Sequence, residues 1–325
     1  MKVLVTGGAG FIGSHLAERL LDEGHEVVVL DDFSTGRRAN LESFGDRIRL
    51  VEGSIVEPEV CAEACAGTGT GTGTGTGMGV GVEVVFHQAA IPSVPLSVDK
   101  PLASHATNAT GTLNMLVAAK DAGARRFVYA TSASVYGDSP AMPKVETMRA
   151  DPQSPYATQK HLGELYCANF QRLFGLETVA LRYFNIFGPR QDPDSPYGAV
   201  VPKFFSALLA DQRPLIFGDG EQSRDFAYVD NAVFANLCAA RAPVSATGQV
   251  YNIACGRRHS VNELLAVLKE ILGSDLEAEY RETRAGDVKH SHADIDLARR
   301  ELGYEVQVHL REGLERTAAW YQQQR

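Results

Sequence analysis

The chain has 325 residues, an apolar fraction of 44% and a charged fraction of 22%, the balance of a soluble globular protein with one large or two modest cores. Its formal net charge of -9, with no basic stripe, argues against general nucleic-acid affinity, so any anionic ligand must be held by local groups. The first apolar run, Val3-Leu4-Val5, gives way at once to Thr6-Gly7-Gly8, far too short for a signal segment or a membrane span. Cys61, Cys65, Cys167, Cys238 and Cys255 show no C-x-x-C pair and no nearby Cys/His cluster. Free thiols of a cytoplasmic protein, with no metal, are the expectation.

Lys2–Thr6 reads as a strand and runs into Gly8-Ala9-Gly10-Phe11-Ile12-Gly13. An amphipathic helix follows, with Ile12, Leu16 and Leu20 on one side and Glu18, Arg19 and Asp22 on the other. Gly24 closes it, and Val27–Leu30 forms a second strand ending in Asp31-Asp32. Strand, glycine loop, helix, strand and acid together are the context in which G-x-G-x-x-G marks dinucleotide binding. Gly7, Gly10 and Gly13 let the backbone approach a pyrophosphate, and the N–H groups at Phe11 and Ile12 open a helix whose positive end faces it. Asp31 would accept hydrogen bonds from the adenosine ribose and repel a 2′-phosphate, which favours NAD over NADP; Arg37 and Arg38 nearby temper that preference.

Ile48–Glu52 is a third strand and Glu57–Ala66 a short helix. A Gly/Thr tract begins at Gly67, and residues 67–81 are expected to form a flexible surface loop without a function of their own. Val84–His87 is strand four, leading into small residues at Gln88-Ala89-Ala90 that let a cofactor pass close to the chain. Ala103–Ala122 reads as one long helix carrying Asn108, and Phe127–Ala130 is strand five, ending at Thr131-Ser132-Ala133-Ser134. Ligands of an open parallel sheet bind beyond the carboxyl ends of its strands, and Ser132 stands at such an end.

A helix from about residue 155 to Phe174 then carries Tyr156-Ala157-Thr158-Gln159-Lys160. Residues i and i+4 share a helix face, so phenol and ammonium can enter one cleft, and a neighbouring cation favours the phenolate as a base. Strand six (Thr178–Leu181) leads to Arg182-Tyr183-Phe184-Asn185-Ile186-Phe187-Gly188, after which the alternation weakens. Short strands (Leu215-Ile216, Phe226–Val229, Val250–Ile253) and helices (Val201–Ala210, Asn231–Ala240, Val261–Leu272, Leu310–Gln322) suggest a second, smaller lobe. In it Arg190, Arg224 and Arg284 sit in loops containing Gly or Pro, where an anion could be met. The expected fold is therefore α/β, a Rossmann-type doubly wound parallel sheet over residues 1–180 that binds NAD, with a smaller, interleaved C-terminal α/β lobe. Residues 181–325 mainly form that lobe for the substrate, with segments returning to the first domain.

Thr6–His15, Thr131–Gly137, Tyr156-x-x-x-Lys160 and Arg182–Gly188, in that order, resemble the extended short-chain dehydrogenase/reductases, and within them the nucleotide-sugar 4-epimerases. The resemblance runs from residue 1 to the C-terminal helix, interrupted mainly at the Gly/Thr tract. It implies that NAD stays bound while Tyr156 takes the proton of the sugar 4-hydroxyl, C4 gives up a hydride, and the hydride returns to the other face of a 4-keto sugar. It assigns Lys160 to the nicotinamide ribose and the phenol's pKa, and Ser132 to the same sugar oxygen. It extends the cofactor contacts to Asp32, Ser54, Ile55, Gln88, Ala89, Ala90, Asn108, Thr131, Tyr183, Asn185 and Ile186. Where the family usually has an aspartate meeting adenine, this chain has Ser54, so NAD is expected to bind somewhat less tightly.

The same resemblance places Asn185, Arg224 and Arg284 on the diphosphate and Asp287 with Ala199, Val200, Ile216 and Phe217 around the uridine. Ser93, Ser132, Ser134, Tyr156 and Ser291 then face the sugar. Sister dehydratases and decarboxylases carry acids directly after the Ser132 position, where this chain has Ala133-Ser134; epimerisation is thereby favoured. A small residue at Ser291, where glucose/galactose enzymes carry a tyrosine, leaves room for a 2-acetamido group. UDP-N-acetylglucosamine/UDP-N-acetylgalactosamine is the preferred pair, ahead of UDP-glucose/UDP-galactose or a UDP-uronate. A homodimer through Ala103–Ala122 and Pro155–Phe174 is the family's habit. Two other classes remain to be separated from this reading: a non-catalytic NAD-binding regulator, and an oxidoreductase that releases NADH.

Overall fold

The computed structural model describes residues 1–66, 81–192, 199–283 and 289–323. Most of the Gly/Thr tract, together with Arg284 and Asp287, lies outside the described residues.

The first half of the chain alternates strand and helix: β1 (Lys2–Thr6), α1 (Phe11–Asp22), β2 (Glu26–Asp31), β3 (Ile48–Glu52), α2 (Pro58–Cys65) and β4 (Val84–His87). It continues through α3 (Val94–Asp99), α4 (Pro101–His105), α5 (Thr112–Asp121), β5 (Arg126–Ser132), α6 (Pro155–Phe174) and β6 (Glu177–Tyr183). The remainder is more broken: β7 (Asn185–Phe187), α7 (Val200–Leu209), β8 (Leu215–Phe217), β9 (Ser223–Arg224), β10 (Phe226–Tyr228), α8 (Val229–Arg241) and β11 (Gln249–Ile253). It closes with β12 (His259–Ser260), α9 (Val261–Leu272), β13 (Glu279–Arg281), α10 (Asp296–Leu302) and α11 (Leu310–Gln323).

Seven strands form one parallel sheet in the order β11-β6-β5-β4-β1-β2-β3. Both faces are covered, as a parallel sheet requires, and alternate residues divide between two cores. Leu4, Val28, Val85 and Phe127 point to the side of α2, α5 and α6. Val3, Val5, Val27 and Val29 point to the side of α1 and α8. The chain leaves β1 for β2 on one side and reaches β4 on the other, so a crevice opens beyond the carboxyl ends of β1 and β4. Three two-stranded sheets, β7 with β10, β8 with β13 and β9 with β12, build the rest around that crevice. β11 returns to the main sheet beside β6.

α6 is defined by local signals. Ser154 caps its N-terminus by accepting from Ala157 N (3.2 Å), Pro155 opens it, and Gly175 ends it in the left-handed conformation (φ 73°). The single helix expected over Ala103–Ala122 is instead α4 and α5 joined by a π turn at Ala106–Gly111. The reason is Asn108. Its amide exchanges hydrogen bonds with Ile91 N (2.8 Å) and Ile91 O (3.2 Å), and the Thr112 hydroxyl takes the Asn108 carbonyl at 2.8 Å. Those contacts draw one residue out of the regular ladder. Arg126, fully buried, pairs with Glu177 and donates to the carbonyls of Ala239, Ala240 and Ala242. A cation at the carboxyl end of α8 suits the negative end of its dipole and ties that helix to the sheet.

Candidate active site

Beyond β1 the glycines are required by contact. Gly7 has φ 68°, and a Cβ there would lie 2.8 Å from Ala89 Cα; a Cβ on Gly13 would lie 2.0 Å from Gly7 O. α1 starts at Gly10 with no side-chain cap and no acidic residue in its first turn, so the N–H groups of Phe11 and Ile12 face the crevice mouth without a carboxylate to satisfy them. Close-packed backbone beside an uncapped helix start fits a dinucleotide pyrophosphate.

Asp31, at the end of β2, is buried, and its two oxygens accept from Ala9 N and Phe33 N, each at 2.8 Å. Burial raises its pKa, and those two N–H groups oppose the rise. The carboxylate therefore shapes the glycine loop as well, and each oxygen keeps a lone pair for a ribose hydroxyl. Asp32 is exposed and holds Ser34 N. Arg37 and Arg38 pair with Asp192 and Glu52 at 2.6 and 2.5 Å. Ser54 accepts from Val56 N at 3.4 Å, and Ile55 is buried against Gly111.

On the other side of the crevice, Ala89 N donates to Thr6 Oγ1 (3.2 Å) and fixes the path through Ala90. Gln88 and Tyr183 are joined at 3.2 Å, and both bond Asn236. Asn108 spends its side chain on Ile91, Ser104 and Gln159, behind the crevice wall. It thereby ties the segment at Ile91 to the Gln159 side chain of α6. Ile186 is buried in β7, and the Asn185 amide donates to Asp225 O at 3.4 Å.

Ser132, Tyr156 and Lys160 come together where β5 meets the start of α6. The Ser132 hydroxyl accepts from Ser134 N at 3.2 Å and stands near enough to the Tyr156 phenol to lower its pKa. Lys160, only 4% exposed, donates from Nζ to Ala130 O at 2.8 Å and lies 5.1 Å from the centre of the Tyr129 ring. Burial pushes the Tyr156 phenol up to about 12, and the Ser132 hydroxyl acts against that rise. Burial likewise brings Lys160 down to about 8, while the Glu164 carboxylate holds it up. The expected lowering of the phenol by Lys160 is therefore not the dominant effect in the protein alone. Desolvation outweighs it.

The residues expected on the substrate side fall at the starts of α3 and α7, after β5, in β8 and β9, and after Lys289. Ser134 Oγ is buried without a partner. Ser93 caps α3 by accepting from Leu96 N, which leaves its proton to donate elsewhere. Ala199 immediately precedes α7 with no side-chain cap, Val200 opens that helix, and Ile216 is buried beside Phe217 in β8. Arg224 donates to Ser223 O and Lys289 O, and Ser291 N donates to the same Ser223 O at 3.0 Å, so Arg224 and Ser291 are neighbours. Arg190 pairs with Glu18 of α1 at 2.7 Å. Cys61 and Cys65 are buried in α2 with thiols pushed up to about 12 by burial, and no metal-binding cluster is present among the described residues.

Sequence reasoning missed Glu164, Arg182, His87 and Asn236. Glu164 had a signal, its place eight residues after Tyr156 on the same helix face; the others acquire their partners from other elements of the fold.

The profile of the NAD dependent epimerase/dehydratase family matches residues 3–254. The chain belongs to that family. It is 39% identical to a UDP-glucose 4-epimerase of Mycolicibacterium smegmatis over 99% of this chain and 98% of that one. Among solved structures it is similar to a UDP-N-acetylglucosamine 4-epimerase of Methanobrevibacter ruminantium in complex with UDP-N-acetylmuramic acid (37% identity, TM-score 0.91, 100% and 99% of the two chains). A Thermotoga maritima UDP-glucose 4-epimerase with UDP-glucose is similar to the same degree: 37% identity, TM-score 0.91, with 100% of this chain and 99% of that one covered. The cofactor of this family is NAD, and the glycine loop, Asp31 and Lys160 are the residues here that fit it.

Gly13→Ala is expected to lose NAD at least tenfold in affinity and to lower the melting temperature, because the new methyl meets Gly7 O and not a flexible side chain. Quantifying NAD released on denaturation, together with a thermal melt, measures both effects.

Proposed function

We propose that this NAD-dependent epimerase inverts C4 of a UDP-sugar, with UDP-N-acetylglucosamine and UDP-N-acetylgalactosamine its preferred pair and UDP-glucose/UDP-galactose a second. The observation that carries the reaction type is the junction of Ser132, Tyr156 and Lys160 at the carboxyl end of β5, with Ala133 and Ser134 following where an acid would be needed to expel water or to assist decarboxylation.

Bound NAD supplies an oxidised nicotinamide, which accepts a hydride and brings a positive charge to the cleft. The residues do the rest. Tyr156 takes the proton of the 4-hydroxyl, and Ser132 holds the same oxygen so that the proton leaves along a short hydrogen bond. With its pKa raised to about 12, Tyr156 needs added positive charge before it serves as a base near neutral pH. Lys160, with a pKa of about 8, is roughly nine-tenths protonated at pH 7 and provides part of that charge. Return of the hydride to the opposite face of C4, together with the proton from Tyr156 to the oxygen, completes the cycle with no net change in oxidation state.

Substrate affinity is assigned to the UDP group through Asn185, Arg224, Arg284 and Asp287, with Ala199, Val200, Ile216 and Phe217 around the base. The sugar itself is held lightly by Ser93, Ser134 and Ser291 and can turn over. The small side chain of Ser291 beside Arg224 favours the N-acetylated pair; room permits a substrate without excluding smaller ones. A homodimer is supported by apolar side chains left in solvent on the α3–α4 and α6 surface: Val98, Leu165, Leu173, Phe174 and, at 85% exposure, Leu102. No helix among the described residues is long and apolar enough to cross a membrane.

Incubated with UDP-N-acetylglucosamine and no added NAD, the protein is expected to produce the 4-epimer by proton NMR; no epimer even with NAD supplied would refute the reading. Little absorbance should grow at the nicotinamide band, whereas stoichiometric growth would identify a net oxidoreductase. NAD affinity without affinity for any UDP-sugar would identify a regulator. Tyr156→Phe should lose about 100-fold or more in kcat and keep UDP-sugar affinity in calorimetry. Ser291→Tyr should abolish turnover of the acetamido sugars and retain UDP-glucose in a panel that includes UDP-glucuronate. Leu102→Glu should shift the sedimentation coefficient from dimer to monomer.

A further inference from the structure

Glu164 lies one helical turn beyond Lys160, on the same face of α6, and is 5% exposed. Its oxygens are saturated. Oε1 accepts from Thr131 Oγ1 at 2.9 Å and Arg182 Nε at 2.8 Å; Oε2 accepts from Arg182 Nη2 at 2.7 Å and meets His161 Nδ1 at 3.1 Å. Arg182 is buried too, 4.6 Å above the Tyr136 ring, with its Nη1 unpartnered. A buried ion pair with an unsatisfied donor is a poor source of stability, since well-packed apolar side chains do as well or better. Packing alone therefore does not account for a charge here. The neighbourhood does: Ala130 and Thr131 are consecutive in β5, and they hold Lys160 and Glu164, which sit on consecutive turns of α6.

We propose that Glu164 is a positioning residue for the reaction: with Thr131 and Arg182 it sets the register of α6 on the sheet, and its carboxylate is the counter-charge one helical turn from the Lys160 ammonium. The proposal rests on the reading that Lys160 serves the epimerisation. The groups that face Lys160 are few. Tyr156 and Glu164 share its helix, the Tyr129 ring approaches from β5, and His87 of β4 is neutral, pushed down to about 3 by burial and by the Lys160 charge. From β6, Arg182 is bound within the Glu164 pair. Among the described residues, Glu164 is the carboxylate that raises Lys160.

The test uses the purified full chain. Acetylation of Lys160 by acetic anhydride is followed against pH by peptide mass spectrometry, beside the pH profile of kcat with UDP-N-acetylglucosamine. Glu164→Gln keeps the shape and removes the charge; the labelling midpoint and the alkaline limb of kcat should both fall by about one pH unit, with KM changed less than twofold. Glu164→Asp, which keeps the charge, should return the midpoint close to that of the wild type. If Glu164→Gln does not fold, Arg182→Gln leaves the Glu164 carboxylate without its paired cation and should raise the midpoint instead. An unmoved midpoint in whichever of the two is folded overturns the proposal. The midpoint is read without substrate, so a wild-type protein that makes no epimer would count against the functional reading and leave this measurement to decide on Glu164.

Discussion

The site depends on how α6 is fastened to the sheet. Lys160 bonds the Ala130 carbonyl, while Glu164 takes Thr131 and Arg182. These contacts place Tyr156, at the start of α6, by the end of β5, where the Ser132 hydroxyl lowers the phenol's pKa. A rotation of α6 by one residue, about 100°, would carry all three helix positions off the strand ends together. Deleting one partner of a buried pair such as Glu164–Arg182 typically costs about 3–5 kcal/mol, so the fastening and the charge arrangement stand or fall together.

Burial sets the electrostatics throughout. It raises Tyr156 and lowers Lys160 and His87, and it brings Asp225, which receives backbone N–H groups of Cys255 and Ala293, up to about 6. Each shift favours the neutral form, the direction desolvation takes for acids and bases alike. A base and a cation can work in such a place only where specific partners oppose desolvation. Ser132 does so for the phenol and Glu164 for the ammonium. The low polarity that makes charge costly also strengthens any charge brought in by a ligand.

The segment that holds Arg224 and Ser291 is built differently. Arg224 and Ser291 become neighbours because β9 and the segment after Lys289 share Ser223, whose carbonyl accepts from Ser291 N and whose hydroxyl meets His290 Nδ1 at 2.8 Å. Two residues 67 positions apart thus meet through one strand edge. Tyr156 and Lys160 stand on a long helix packed on a seven-stranded sheet, whereas Arg224 and Ser291 stand on two-stranded pieces and loops.

What the sequence alone determined follows from local rules. The glycine loop after an apolar strand, Asp31 at the next strand's end, the period-four face of Tyr156 and Lys160, and the Ser154–Gly175 limits of α6 are all short-range patterns, and the parallel sheet they imply is the one observed. Tertiary structure decided the rest. The π turn at Asn108 arises because Ile91, seventeen residues earlier, claims its amide. Asp31 is found folding the glycine loop, Gln88 and Tyr183 are bound to Asn236, and Arg37 and Arg38 are already paired with acids. The sign of the Tyr156 shift could not be read from Lys160 alone, because desolvation is a property of everything packed around the phenol, contributed by strands and helices far away in the chain.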